Sequence, residues 1–205
     1  MKQILFIPVF LLVMLVGCTP PVTFNQSQPE GVDPLSAIPK KMFGYYVGKD
    51  GVTSLTIDRD RFVFNYDYEV KQQKDSLNWE KMKAEDKRKF RLEGDSVIEH
   101  VTDADTIFCF SEDYVLKKYK GYFFLNSRFG KNSWLVQKIK LQKGLLTIGR
   151  ISTKEELNML EKINESPIDT ATLQVNFTRK QFHDYIENDG FSKVDTFIRV
   201  NRLNK

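Results

Sequence analysis

From Met42 onward apolar residues fall mostly at every second position, the period of a strand that turns one face to a core. Residues 42–47 and 52–57 are two such runs, separated by Gly48-Lys49-Asp50-Gly51, whose glycines suit a hairpin turn. Asp58-Arg59-Asp60 makes the next reversal. The clearest alternation follows, with Phe62, Phe64, Tyr66, Tyr68 and Val70 on one face and Asn65, Asp67, Glu69 and Lys71 on the other. About ten residues at ~3.3 Å each predict a strand of roughly 33 Å, nearly twice the usual length.

Residues 71–88 break this pattern. They are dense in charge and carry only Leu77, Trp79, Met82 and Ala84 as apolar side chains, consistent with a short helix or a long hairpin excursion. Two large apolar groups in so polar a stretch, Trp79 and Met82, predict a segment that is pinned to the domain or that meets a partner. Alternation resumes at Phe90 and Leu92, turns at Gly94-Asp95, and continues through residues 97–101, 107–110, 114–119, 122–125, 134–141 and 145–151. Strands at such short spacing without helices between them predict an antiparallel all-β arrangement.

Two helices are expected near the end. Ser152-Thr153-Lys154-Glu155 and Thr178-Arg179-Lys180-Gln181 both have the form of a capping box. Leu157, Leu160 and Ile163 mark the inner face of the first helix; Phe182, Tyr185 and Ile186 mark that of the second, with Gly190 as its expected left-handed stop. Residues 194–200 form a last strand. The expected fold of residues 40–205 is therefore mainly β: a single domain, either a lipocalin-like antiparallel barrel or a β-sandwich, with two short accessory helices.

The N-terminus carries a different signal. Lys2 precedes an apolar run of about 13 residues that fits a secretory h-region and is too short for a bilayer, which takes about 20. The run ends in Leu15-Val16-Gly17-Cys18. This set resembles the lipobox of bacterial lipoproteins. The resemblance implies removal of residues 1–17 as a signal peptide and acylation of Cys18 by palmitate-type chains, each buried CH2 contributing about 0.8 kcal/mol to membrane attachment. Residues 18–39 contain Pro20, Pro21, Pro29, Pro34 and Pro39 and no periodic apolar face. They read as an extended lipidated tether holding the domain some tens of ångströms from the lipid. Thr19, Pro20 and Pro21 directly follow Cys18, with no acidic residue beside it and no acidic cluster of the kind that resembles a surface-export signal. By the same resemblance this favours the periplasm-facing leaflet of the outer membrane.

Charge narrows the partners. Loss of residues 1–17 removes one lysine and no acid, lowering the formal charge from +4 to +3, and both signs are interleaved. There is no large single-sign field for nucleic acid, so a membrane anchor, an envelope protein or an apolar ligand is the expected contact. With Cys18 acylated, Cys109 is the one remaining thiol and no intramolecular disulfide forms. The mature composition, strand-rich with abundant Lys, Asn and Phe, is similar to envelope lipoproteins of Bacteroidota.

Catalytic chemistry finds little support. The chain lacks GxSxG, Walker, HExxH and paired CxxC motifs, and has only His100 and His183. A Cys109–His100 pair is outweighed by the role of Cys109 as a small hydrophobe between Phe108 and Phe110. Asp103-Ala104-Asp105-Thr106 resembles the nucleophile motif of haloacid dehalogenase phosphatases, but Ile107 departs from it and that family needs a parallel sheet. A polar turn is expected there, and another at Asp58-Arg59-Asp60 in place of a metal-binding DxD. No cofactor or metal is expected. The stripe Phe62, Phe64, Tyr66 and Tyr68 packs a core or lines a small ligand cavity. The sequence thus favours a non-enzymatic, membrane-anchored module that contacts another protein or the cell wall, with a lipocalin-like carrier of an apolar molecule or lipid next and a hydrolase last.

Overall fold

The computed structural model describes residues 20–165 and 167–201. Cys18 and the lipobox lie outside them. The described strands are β1 (Thr23–Phe24), β2 (Gly44–Gly48), β3 (Thr53–Ile57), β4 (Arg61–Gln73), β5 (Phe90–Glu93), β6 (Ser96–Cys109), β7 (Tyr114–Tyr119), β8 (Tyr122–Arg128), β9 (Trp134–Gln142), β10 (Leu145–Arg150), β11 (Gln174–Val175) and β12 (Lys193–Asn201). The helices are α1 (Ala84–Lys87), α2 (Thr153–Asn164) and α3 (Arg179–Glu187).

All twelve strands share one sheet that does not close on itself. Hydrogen bonding runs β11-β1-β9-β10-β12-β2-β3-β4-β6-β5, with β8 also on β9 and β7 on β8. Every described pair is antiparallel except β1 with β11. The fold is mainly β, an open barrel or sandwich. One core fills the inner side of the sheet with Met42, Tyr46, Leu55, Phe62, Phe64, Phe108, Phe123, Ile148 and Phe197 among others. A second core lies behind β8 and β9, where Phe124 and Val136 meet Phe24, Leu160, Phe182 and Tyr185 from β1, α2 and α3. Phe123 and Leu125 point to the first core and Phe124 to the second. A strand covered on both faces has no polar side to show, which explains the unbroken Tyr122-Phe123-Phe124-Leu125.

The proline-rich segment departs from the expected extended tether. Val22, Phe24, Gln28 and Ile38 are buried, and β1 joins the sheet. Proline had obscured these isolated side chains because they follow no period. Polar groups fasten the segment as well. Asn126 accepts from the Gln28 amide at 2.6 Å and donates to its carbonyl at 2.9 Å. Lys117 donates to the Ser27 and Pro29 carbonyls at 2.8 and 2.9 Å. Arg179 donates to the carbonyls of Glu30, at 2.9 Å, and Gly31. Burial lowers the pKa of the Lys117 ammonium to about 8, with Asp33 opposing the shift.

Other expectations changed locally. Residues 97–101 and 107–109 belong to a single strand, β6, because β4 offers a partner along its whole length from Arg61↔Cys109 to Gln73↔Ser96. Asp103 to Thr106 are therefore strand residues and not a turn. Asp58 does make the predicted turn, accepting from the Asp60 and Arg61 amides at 2.9 and 3.0 Å. Residues 74–89 combine both options for the excursion: two 3-10 turns and α1 between β4 and β5. The Thr178–Gln181 capping box forms. At α2 the Ser152 side chain makes no cap; its amide donates to Glu156 at 3.0 Å. Positive φ beyond α3 falls on Asp189 and Phe191. Gly190 has a different reason to be glycine, since a Cβ there would lie 2.6 Å from the Tyr185 ring and carbonyl.

Candidate functional site

Beyond the first core, β4 and β6 continue as an arm. From Tyr66 to Gln73 the arm is roughly 25 Å long at ~3.3 Å per residue, and β5 pairs with its far end. Its tip holds buried Val97 and Ile98, with Trp79 edge-on to Phe90 at 5.9 Å and Lys87 5.1 Å above the Trp79 ring. Trp79 and Met82 are half-buried there, the Met82 amide donating to the Trp79 carbonyl at 3.2 Å. Of the apolar residues of the charged excursion, Trp79 thus packs against the tip through Phe90.

The predicted aromatic stripe lies on one face of β4 and changes role along it. Phe62 and Phe64 belong to the core. Tyr66 is half-buried at the mouth of the first core, and Tyr68 is 41% exposed on the arm. At the mouth a cleft of about 410 Å³ is lined by Phe64, Tyr66, Arg150, Asp195 and Phe197, with Lys49 on its rim. The Phe64 and Phe197 rings stand 5.6 Å apart beneath it. Arg150 and Asp195 form an ion pair inside it. Burial raises the pKa of the Tyr66 hydroxyl, and the Asp105 carboxylate adds to the rise.

That carboxylate reaches the inner face through a bulge. Phe62 pairs with Phe108, but Val63 pairs with Thr106, so Ile107 is the extra residue. Simple alternation from Phe108 would bring Thr106, Ala104 and Thr102 to the inner face. The bulge shifts the pleat by one, placing Asp105 opposite Phe64, Asp103 opposite Tyr66, Val101 opposite Tyr68 and Glu99 opposite Val70. Directly opposed residues of an antiparallel pair share a face. The inner face of the arm therefore interleaves Tyr66, Tyr68, Val70 and Val101 with three carboxylates. None of the three belongs to an ion pair among the described residues. Leu92, 55% exposed, extends the apolar surface on β5. The opposite face carries the Lys71–Glu93 and Arg91–Glu69 ion pairs at 3.0 and 3.2 Å, which compensate one another, and a His100–Asp67 contact at 2.6 Å.

Other candidates do not assemble. Cys109 and His100 lie nine residues apart on one strand, about 30 Å by strand rise, so they form no nucleophile pair. Among the described residues no group of three or more His, Cys, Asp or Glu is placed to hold a metal ion. No described helix is long and apolar enough to cross a membrane.

The most heavily bonded buried carboxylate was missed from the sequence. Glu156 accepts from the amides of Ser152, Phe191 and Ser192 at 3.0, 2.9 and 2.7 Å, from the Ser192 hydroxyl at 2.7 Å and from the Tyr185 hydroxyl. It ties the start of α2 and the end of α3 to the residues that lead into β12. One signal was available: Glu156 stands on the stripe continued by Leu160 and Ile163, where a charge is out of place.

The geometry defines a class, a mainly β protein with an open antiparallel sheet and a projecting arm. Comparison with known proteins adds no identity to it: no family model, no curated protein and no solved structure matches the chain.

Proposed function

We propose that this chain is a non-enzymatic lipoprotein of the bacterial envelope, anchored through acylated Cys18 and facing the periplasm from the outer membrane, and that it engages another envelope component through the inner face of its arm. The observation that carries the reading is the arm itself. Two strands run about eight residues past the core, keep their own small cluster at the tip, and leave Tyr68 and Leu92 uncovered. Burying such groups drives association, and exposed aromatic side chains are frequent anchors of interfaces.

The fastened N-terminal segment shapes the anchoring. Only three residues lie between Cys18 and buried Val22, so whatever their path, no more than about 14 Å of chain joins the two. Acylation of Cys18 therefore places the domain against the membrane surface, not on a long leash. A carrier role has one feature in its favour, the mouth cleft above Phe64 and Phe197. The side chains beneath are packed, so the ligand space is that of a small polar-rimmed molecule and not of a long acyl chain.

Two measurements test the proposal. Metabolic labelling with a radiolabelled fatty acid should mark the wild type and leave Cys18→Ala unmarked; equal labelling of the mutant defeats the anchor. In a Cys109→Ser background, a cysteine at Leu92 should react with maleimide several-fold more slowly in intact envelopes than in purified protein, while one at exposed Lys162 reacts alike in both. Equal rates at Leu92 would remove the arm from the interface.

A further inference from the structure

β6 is paired along its full length with β4, but β5 covers its other side only from Ser96 to Glu99. From His100 to Phe108 the outer edge of β6 has no strand beside it among the described residues. Its backbone groups alternate outward for about eight residues, a length sufficient for strand addition by an extended segment. Beside that edge the inner face presents Glu99, Asp103 and Asp105, unpaired, interleaved with Val101, Tyr66 and Tyr68. β4, β5 and β6 place no basic side chain of their own on this face. Uncompensated negative charge and uncovered apolar surface thus occur together at an open edge.

We propose that this edge receives an extended segment of a partner protein that carries Lys or Arg at alternate positions. Added antiparallel or parallel to β6, such a segment directs every second side chain to the inner face, where two basic residues spaced two apart stand against Asp103 and Asp105. Opposite charges directly across a ladder attract and like charges repel, so the edge selects by sign. Aromatic rings of Tyr66 and Tyr68 lie alongside to receive the aliphatic stems and the cation. The proposal rests on the arm being the contact surface, and it names the chemistry of what the arm contacts.

Carboxylates on an edge strand have a competing role, since inward-pointing charges also prevent strands from adding to exposed edges. The two roles differ in outcome. A blocking edge refuses every peptide; a selective edge refuses acidic ones and accepts basic ones. The full-length protein in neutral detergent is titrated with a blocked heptapeptide alternating lysine and threonine, and with the glutamate-for-lysine counterpart, at low salt and again at 0.5 M salt. Binding is read by fluorescence anisotropy, and the site by hydrogen exchange of residues 100–108. The lysine peptide should bind at least tenfold more tightly than the glutamate peptide, slow exchange at residues 100–108, and lose most of its advantage at high salt. In the near-isosteric D103N/D105N protein the two peptides should bind within about threefold of one another. The proposal is overturned if the wild type binds neither peptide, binds both equally, or protects residues elsewhere. It is also overturned if the preference survives in a folded D103N/D105N protein; should that variant misfold, the wild-type sign preference and exchange map decide alone. Loss of this binding together with continued shielding of Leu92 in envelopes would reject the basic segment while leaving the arm as the interface.

Discussion

Phe64→Ala distinguishes a packed interior from a ligand-filled one. Phe64 is 6% exposed and lies within the first core, its ring 5.6 Å from that of Phe197 and 6.2 Å from that of Tyr66. Truncation removes a buried phenyl ring, which costs about 3–5 kcal/mol when the surroundings stay in place. The mouth cleft lies directly above, so water enters part of the space left behind, and the lower end, about 3 kcal/mol, is expected. With a urea m-value of ~2 kcal/mol/M, the midpoint of a urea melt should fall by about 1.5 M. Tyr68→Ala, on the same face of the same strand but out on the arm, should move it by less than a third of that. A cost for Phe64→Ala below about 1 kcal/mol would mean that its contacts are not those of a core, and would restore the cavity-lining reading.

Glu156→Gln should lower stability by about 3 kcal/mol, because an amide group cannot accept from all five surrounding donors and buries its own N–H2 among them; a thermal melt within 1 °C of wild type would contradict the hub. Lys117 makes stability depend on pH: its folded pKa, about 8, lies below the ordinary 10.5, so the unfolded chain binds more protons between these values and stability rises with pH across pH 8–10.5. Partial screening near the surface reduces the ideal gain to about 1–2 kcal/mol, and Lys117→Met should flatten the rise in denaturant melts taken from pH 7.5 to 10.5. Trp79→Ala should release the tip without unfolding the domain, speeding hydrogen exchange at residues 96–98 by at least tenfold while the global melt shifts by less than about 1 kcal/mol; a large global shift would join the tip to the main core.

Where a strand has one wet and one dry face, its residues alternate, and residues 62–70 were legible for that reason. The β6 side of the arm was not, because both faces of residues 102–106 meet solvent and these residues then alternate in nothing that hydropathy records. The carboxylates of the inner face depend on the Ile107 bulge, a pairing property shared between β4 and β6 that neither strand displays alone. The N-terminal segment was misread for a related reason. Phe24, Gln28 and Ile38 are buried one by one against distant partners, leaving no local period to find, and proline gave a stronger signal for an open chain. Lys117 and Glu156 each stand beside a like charge, Lys118 and Glu155, and read as ordinary surface charge, while the acceptors and donors that satisfy them come from residues up to 90 positions away.

The central claim, that the membrane-anchored protein meets its partner through the inner face of the arm, is tested most directly by photo-cross-linking in living cells. A photoreactive amino acid is placed in turn at Tyr68, Leu92 and Val101, and for comparison at Lys71, Glu93 and Lys162. The inner-face positions should give one common adduct, diminished when Asp103 and Asp105 are both changed to Asn, and the comparison positions should not give it. Adducts of equal yield from both faces of the arm, or none from Tyr68, Leu92 and Val101, would contradict the account.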